Sequence, residues 1–95
     1  SNDDNDNIIS LGQSIVLSGM INKINDDIFL TDSNNDNVTE LEFVTDKINY
    51  VPSKDGCYKV VGAYNMVYEE QSTLFGYAKI GYPKFFVVWI LGGCE

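Results

Sequence analysis

Histidine and arginine are both absent from this sequence, since its six basic residues are all lysines. Without histidine, the Ser-His-Asp and Cys-His arrangements of nucleophilic catalysis and histidine-bearing zinc sites are excluded. Without arginine, no guanidinium is available to bind phosphate through two parallel hydrogen bonds. A glycosidase needs a neutral carboxyl group opposite an ionised one, and neither Glu69-Glu70 nor Glu40 with Glu42 fits that description. We therefore expect a protein that is not an enzyme and has no cofactor.

Long apolar runs are scarce as well. The longest, residues 85–91, falls far below the ~18 residues that a membrane-spanning helix needs, and no signal peptide is recognisable. Residues 1–7 are polar and acidic with no apolar side chain to dock them, so residues 1–12 are predicted to form a flexible tether. This opening resembles the stretch after the lipidated cysteine in surface lipoproteins of Gram-negative bacteria. The resemblance implies an extracytoplasmic protein whose contact with a membrane is a lipid anchor outside this chain. The alternative is a frayed N-terminus that carries no information about localisation.

Acidic residues outnumber lysines by fourteen to six, which gives a net charge of −8. The excess is local, because residues 26–46 contain no lysine. We predict an acidic face formed by Asp26, Asp27, Asp32, Asp36, Glu40 and Glu42. Such a face repels nucleic acid and anionic membranes and favours a basic protein, a cation or a neutral ligand. The alternative is that the charge only keeps a small domain soluble and monomeric.

Cysteine occurs twice, at Cys57 and Cys94, each at the end of an apolar run. We expect a disulfide between them, because small exported domains use such bonds in oxidising compartments. The loop that it closes is worth about 4 kcal/mol in the chain-entropy account. The alternative is a pair of buried free thiols.

The pattern along the chain predicts an all-β domain. Apolar alternation with a period of two, separated by turn residues, indicates short strands; they are expected at residues 15–24, 28–31, 38–43, 57–64, 74–80 and 85–91. Gly19 is the position where a bulge or a barrel corner is expected. Residues 69–72 are predicted to form a polar loop, and residues 45–50 a single helical turn. The strand at 85–91 is apolar on both faces, so it should be central or covered. A chain of 95 residues supports one core, so residues 13–95 are predicted to form a single β-barrel domain.

The order of these parts resembles the oligonucleotide/oligosaccharide-binding (OB) fold. A long glycine-bent strand, Val16-Leu17-Ser18-Gly19-Met20-Ile21, is followed by a tight turn and the strand Ile28-Phe29-Leu30-Thr31-Asp32, then by a hairpin and the strand Gly56-Cys57-Tyr58-Lys59-Val60-Val61-Gly62. The resemblance covers residues 14–64 and implies a Greek-key barrel of five to seven short strands. After Tyr64 the sequence predicts two strands, whereas that family has one closing strand. The alternative is an immunoglobulin-like or transthyretin-like β-sandwich.

One acidic segment has the spacing of a calcium loop. Asp32, Asn34 and Asp36 match its first three ligand positions, but the twelfth position is Phe43, not glutamate. The flanking residues also read as strands, so we interpret the segment as a hairpin loop and expect no metal.

Aromatic residues concentrate in the second half of the chain. We select four tyrosines as candidate ligand-binding residues, because tyrosine joins an apolar ring to a polar tip: Tyr64, Tyr68, Tyr77 and Tyr82. The alternative is a core of Phe75, Phe85, Phe86 and Trp89 with the tyrosines at its rim. The usual OB binding face, on the second and third strands, contributes only Phe29 and Phe43 among acids, which argues against single-stranded nucleic acid.

These features favour a non-catalytic, extracytoplasmic binding module whose partner is a protein or a glycan. A first alternative is an acidic inhibitor or immunity-type protein that blocks a basic enzyme. A second alternative is an OB-type nucleic-acid or scaffolding subunit.

Overall fold

The computed structural model describes residues 13–94; the predicted tether at residues 1–12 lies outside the described residues. The described chain is all-β, as the alternation predicts. Its five strands are β1 (Ile15–Ile24), β2 (Asp27–Asp32), β3 (Val38–Phe43), β4 (Gly56–Thr73) and β5 (Gly76–Gly93).

These strands form one sheet that closes into a ring in the order β1-β2-β3-β5-β4. Strand β3 runs parallel to β5, and the other neighbouring strands are antiparallel. A sandwich consists of two sheets stacked face to face. The single closed sheet of residues 13–94 therefore differs from the sandwich alternative.

The core fills the inside of this ring. Successive side chains in a strand point to opposite faces, so every second apolar residue turns inward. Eight apolar residues are buried there, namely Ile21, Leu30, Leu41, Phe43, Val60, Phe85, Val87 and Ile90. All five strands contribute to this core, whereas the outer half of the β4–β5 hairpin does not.

Gly19 pairs with Asp32 on β2 and with Tyr58 on β4, without a register shift in either ladder. A Cβ atom at Gly19 would collide with the backbone carbonyl oxygen of Thr31. Glycine therefore allows two strands to approach closely, and no bulge lies at this residue. The other expectation for Gly19, a barrel corner, fits its position, because β1 pairs with β4 alone before Gly19 and with β2 alone after Ile21. The irregularities lie instead between β4 and β5, at Lys59/Val60 and Val61/Gly62.

The β4–β5 hairpin is much longer than the sequence indicates. Residues 69–72, expected to form a loop, belong to β4, and the two strands expected at 74–80 and 85–91 are one strand, β5. Strand β4 pairs with β1 as far as Gly62, and β5 pairs with β3 at residues 85–87. Residues 65–84 pair with each other alone among the described residues and extend beyond the barrel. We call them the projecting hairpin.

The segment between β3 and β4 lies against β5 and the core: the N–H of Val44 donates to the carbonyl oxygen of Val87 at 2.9 Å, and Ile48 packs against the core cluster. The N–H groups of Lys47 and Ile48 both donate to the carbonyl oxygen of Val44, at 3.0 and 2.9 Å. The bond from Ile48 to Val44 spans four residues, so the single helical turn expected at residues 45–50 is present at residues 44–48 and is not continued into a helix. Within residues 13–94 nothing forms a helix that is long and apolar enough to cross a membrane.

Cys57 and Cys94 form a disulfide, as predicted, with their Cα atoms 5.3 Å apart. The bond joins the start of β4 to the residue that follows β5. The N–H of Cys94 also donates to the carbonyl oxygen of Cys57 at 3.2 Å. The base of the long hairpin is therefore closed covalently at the end opposite its tip.

Candidate binding surfaces

Three of the four tyrosines selected from the sequence lie on the projecting hairpin, and Tyr64 lies at its base on β4. Residues paired directly across two antiparallel strands share a face, and the register pairs Tyr64 with Phe85, Tyr68 with Gly81 and Ser72 with Tyr77. Tyr64, Tyr68 and Tyr77 therefore lie on one face of the hairpin. Tyr82 pairs with Val67 and lies on the other face. The structure thus brings three of the four together on one face and separates the fourth.

Tyr64 lies where the hairpin leaves the barrel. It is half-buried, and its ring meets the ring of Phe85 edge-on, with centroids 5.0 Å apart and planes at 70°. Since Phe85 is fully buried, Tyr64 packs against the core cluster. Most of its apolar surface is used within the fold.

Tyr68 is exposed and its ring lies over Gly81, where an added Cβ would touch the ring carbons. Aromatic rings shield cross-strand glycines in this way. The Nζ of Lys79 lies 5.7 Å from the centroid of the Tyr68 ring, within the range of a cation–π interaction. Tyr68 is therefore an exposed aromatic ring held in a defined position.

Tyr82, on the opposite face, donates its hydroxyl hydrogen to Oε2 of Glu69 at 3.1 Å. This hydrogen bond is the main reason that the pKa of Tyr82 is raised, and desolvation and the charge of Glu40 act in the same direction. Tyr82 thus stays protonated and keeps its own hydrogen-bond partner across the hairpin.

The tip of the projecting hairpin is the most exposed apolar part of the described chain. Leu74 and Phe75 are 91% and 95% exposed. The hydroxyl of Thr73 accepts the N–H of Phe75 and donates to the carbonyl oxygen of Gly76, both at 3.2 Å. Gly76 has a φ of +131°, which side chains with a Cβ avoid. The turn is thus built to present two large apolar side chains outward.

The interpretation of Phe75 and Trp89 as core residues is wrong, whereas Phe85 is buried as expected. Phe75 lies in a two-residue turn, which has no inward face. Trp89 points away from the barrel because its neighbour Ile90 takes the inward position. Leu74 was not among the residues selected from the sequence. The sequence feature that indicates a turn at Leu74 and Phe75 is the glycine that follows them, Gly76.

The predicted acidic residues form two separate groups, at opposite ends of the β2–β3 strand pair. Four of them line a groove of about 330 Å³, namely Asp26, Asp27, Glu40 and Glu42. The other two, Asp32 and Asp36, lie at the β2–β3 turn. There Oδ1 of Asp32 accepts the N–H of Asn34 at 2.7 Å, and Asp36 adopts a φ of 61°. The acidic face is therefore a groove and a separate turn.

Lys84 occupies one wall of the groove. Its Nζ lies 3.1 Å from Oε1 of Glu42 and 3.5 Å from Oε2 of Glu40. Desolvation lowers the pKa of Lys84, but the hydrogen bond to Glu42 and the charges of Glu42 and Glu40 outweigh it, so the pKa is raised. One lysine thus offsets part of a four-carboxylate groove and leaves it negative.

Among residues 13–94 no group of three or more potential ligand side chains is arranged to hold a metal ion. On the outer faces of β2 and β3, Phe29 lines a shallow groove with Ile24 and Val38. Phe43 is buried in the core. The face that the OB resemblance indicates therefore presents one aromatic ring.

Comparison with known proteins gives no relative: the chain matches no family model, no curated protein and no solved structure.

Proposed function

We propose that this protein is a non-catalytic binding module that contacts a partner protein through its projecting hairpin. The observation that carries the proposal is the near-complete exposure of Leu74 and Phe75 at the tip. Exposing two adjacent large apolar side chains is unfavourable in water, and burying each of them is worth about 1.5–3 kcal/mol. A partner that covers Leu74 and Phe75 would explain why a fixed turn holds these two side chains outward.

The chemistry of the tip favours a protein over a glycan. A sugar ring stacks on a flat aromatic platform, whereas Leu74 has no flat face. Apolar anchors that enter a pocket, surrounded by tyrosine, are typical of protein–protein contacts. Tyr68, fixed over Gly81, and the exposed Tyr77 extend the contact along one face of the hairpin.

In this proposal the barrel is an OB-like scaffold that works outside the cytoplasm. The OB-like scaffold is supported by the closed ring of five strands, which loosely resembles a small barrel. The Cys57–Cys94 disulfide supports the extracytoplasmic location, because such bonds persist in oxidising compartments. An N-terminal lipid anchor, which the lipoprotein resemblance implies, would hold the module at a membrane surface.

Site-specific photo-crosslinking tests the proposal. p-Benzoylphenylalanine replaces Phe75, and a matched protein carries it at the exposed residue Asn34 on the β2–β3 turn. Both are irradiated with an extracytoplasmic extract from the native cells. We expect one discrete protein adduct at position 75 and none at position 34.

Competition shows whether formation of the adduct depends on the apolar side chains at the tip. An excess of wild-type protein should abolish the adduct, and an excess of the Leu74→Ser/Phe75→Ser variant should leave it. Equal competition by both proteins, lipid adducts alone, no adduct, or an adduct lost after enzymatic removal of glycans would contradict the proposal.

A second candidate function is inhibition of a basic enzyme, and the acidic groove favours it. Asp26, Asp27, Glu40 and Glu42 surround an apolar floor that includes Leu41, so the methylenes and ammonium group of an inserted lysine would both find partners. Association through this groove should slow steeply between ~0.05 and ~0.5 M salt. Hairpin-tip binding should change little over the same range.

A further inference from the structure

The projecting hairpin leaves the barrel where backbone pairing with the barrel ends on both of its edges. Within residues 13–94, β1 pairs with β4 no nearer to the tip than Gly62. On the other edge β3 pairs with β5 no nearer to the tip than Phe85, and Pro83 has no N–H to continue that ladder. Since a two-stranded ribbon is only marginally stable by itself, the direction of the hairpin depends on side-chain contacts at this boundary.

Two such contacts connect the base of the hairpin to the barrel, one on each face of the ribbon. On the inner face the ring of Tyr64 meets the buried ring of Phe85 edge-on. On the outer face Nζ of Lys84 reaches β3, where it lies 3.5 Å from Oε2 of Glu40 and 3.1 Å from Oε1 of Glu42. Lys84 and Phe85 are adjacent in β5, so their side chains point to opposite faces. The ribbon is therefore held to the barrel on both faces.

The ion pairs of Lys84 join the hairpin to a different strand of the barrel. Glu40 and Glu42 are two residues apart on β3 and share its outer face. The side chain of Lys84 is 16% exposed and that of Glu40 is 23% exposed, so solvent screens this pair less than a fully exposed one. A movement that carries Lys84 away from β3 separates its ammonium group from both carboxylates and leaves two like charges side by side. Such movement is therefore unfavourable.

We propose that Lys84 is a positioning residue, which fixes the direction in which the projecting hairpin leaves the barrel. The hairpin amplifies any change at its base. From Lys84 to Phe75 the chain spans roughly 30 Å in extended conformation, so a tilt of about 10° at the base displaces the tip by about 5 Å. A side chain far from the tip thus determines where Leu74 and Phe75 are presented. This consequence for partner binding rests on the proposed function, whereas the direction of the hairpin does not.

Double electron–electron resonance on the full chain tests the proposal. p-Acetylphenylalanine replaces two exposed residues, Asn34 on the β2–β3 turn and Gln71 on the hairpin, and carries a nitroxide at each. This attachment does not use thiols, so the Cys57–Cys94 disulfide stays intact. We expect a single narrow distance peak with Lys84 in place and loss of that peak to a broad distribution in Lys84→Met. Lys84→Arg keeps the positive charge and should restore the narrow peak.

Lys79→Met is the matched control, because it removes the same charge from a lysine that contacts Tyr68 within the hairpin. It should keep the narrow peak. Circular dichroism shows whether Lys84→Met folds, and the Glu40→Gln/Glu42→Gln variant tests the same contact from the barrel and should also broaden the distribution.

A narrow peak that persists in both Lys84→Met and the double glutamine variant would overturn the proposal. A broad distribution with Lys84 in place, or equal broadening in Lys79→Met, would overturn it as well. None of these measurements needs a partner, so failure of this proposal is distinguishable from failure of the proposed function, which the crosslinking experiment reports.

Discussion

The side-chain amide of Asn49 forms two hydrogen bonds with the backbone of Ile90. Its Nδ2 donates to the carbonyl oxygen of Ile90 at 2.9 Å, and its Oδ1 accepts the N–H of Ile90 at 2.8 Å. Ile90 lies just beyond the residues of β5 that pair with β3. The amide therefore supplies, from the β3–β4 segment, the hydrogen bonds that a neighbouring strand would give.

Replacement of Asn49 by alanine should destabilise the barrel by about 2 kcal/mol, because two polar backbone groups beside a buried side chain lose their partners. Urea unfolding measures this loss. Asn34→Ala, in the exposed β2–β3 turn, is the control and should change stability by less than about 0.5 kcal/mol. Equal stability of the two variants would contradict the role assigned to Asn49.

Gly62→Ala should destabilise the protein by about 2–3 kcal/mol, since small-to-large changes in a close contact force the backbone to move. A Cβ at Gly62 would collide with the carbonyl oxygen of Phe86. At Gly93 the nearest atom to such a Cβ is the carbonyl oxygen of Cys57, at an ordinary 3.7 Å. Gly93→Ala is thus the matched control, with little expected change in the urea midpoint.

The disulfide should contribute about 4 kcal/mol to stability, because it closes most of the second half of the chain into a loop. The Cys57→Ser/Cys94→Ser variant should lose that amount in urea unfolding. Reduced wild type should unfold at nearly the same urea concentration as the variant. A double variant as stable as the oxidised protein would show that the disulfide adds nothing to the free energy of unfolding.

Lys84→Met should cost about 1 kcal/mol, because the lysine is partly exposed and its ion pairs with Glu40 and Glu42 are screened by solvent. The pKa of Lys84 is raised above its ordinary 10.5 in the folded protein. Its contribution is therefore complete below pH 10.5 and disappears as the pH rises through the raised value.

The stability difference between wild type and Lys84→Met should then be constant near neutral pH and narrow above pH 10.5. Lys54→Met, at an exposed turn residue, should show a much smaller difference at neutral pH. A wild-type advantage that grows with alkaline pH would contradict this assignment.

The first half of the fold follows from the sequence. The alternation of apolar residues gives the bounds of β1 and β3 correctly, and β2 to within a residue at each end. These strands have one face on the core, which produces a period of two. The next strand was expected to begin at Cys57, one residue after the start of β4 at Gly56.

The projecting hairpin could not be predicted in the same way. Neither of its faces packs on a core, so Glu69-Glu70-Gln71-Ser72 shows no apolar alternation and reads as a loop. Pro83 pairs with Met66 just before β5 reaches β3, where a strand edge tolerates proline. The shared face of Tyr64 and Tyr68 follows from their spacing, whereas Tyr77 joins them through a register that only the turn determines.

The most direct test of the account removes the outer part of the projecting hairpin and keeps the barrel. Val67 pairs with Tyr82, so replacing residues 68–81 by Asn-Gly gives a two-residue turn between paired strands. Calorimetry then measures binding of the protein captured at position 75 to the wild type and to this shortened chain. We predict that the shortened chain keeps its β-type circular dichroism and loses affinity by roughly 100-fold or more. A shortened, folded chain that binds the partner as tightly as the wild type would contradict the account.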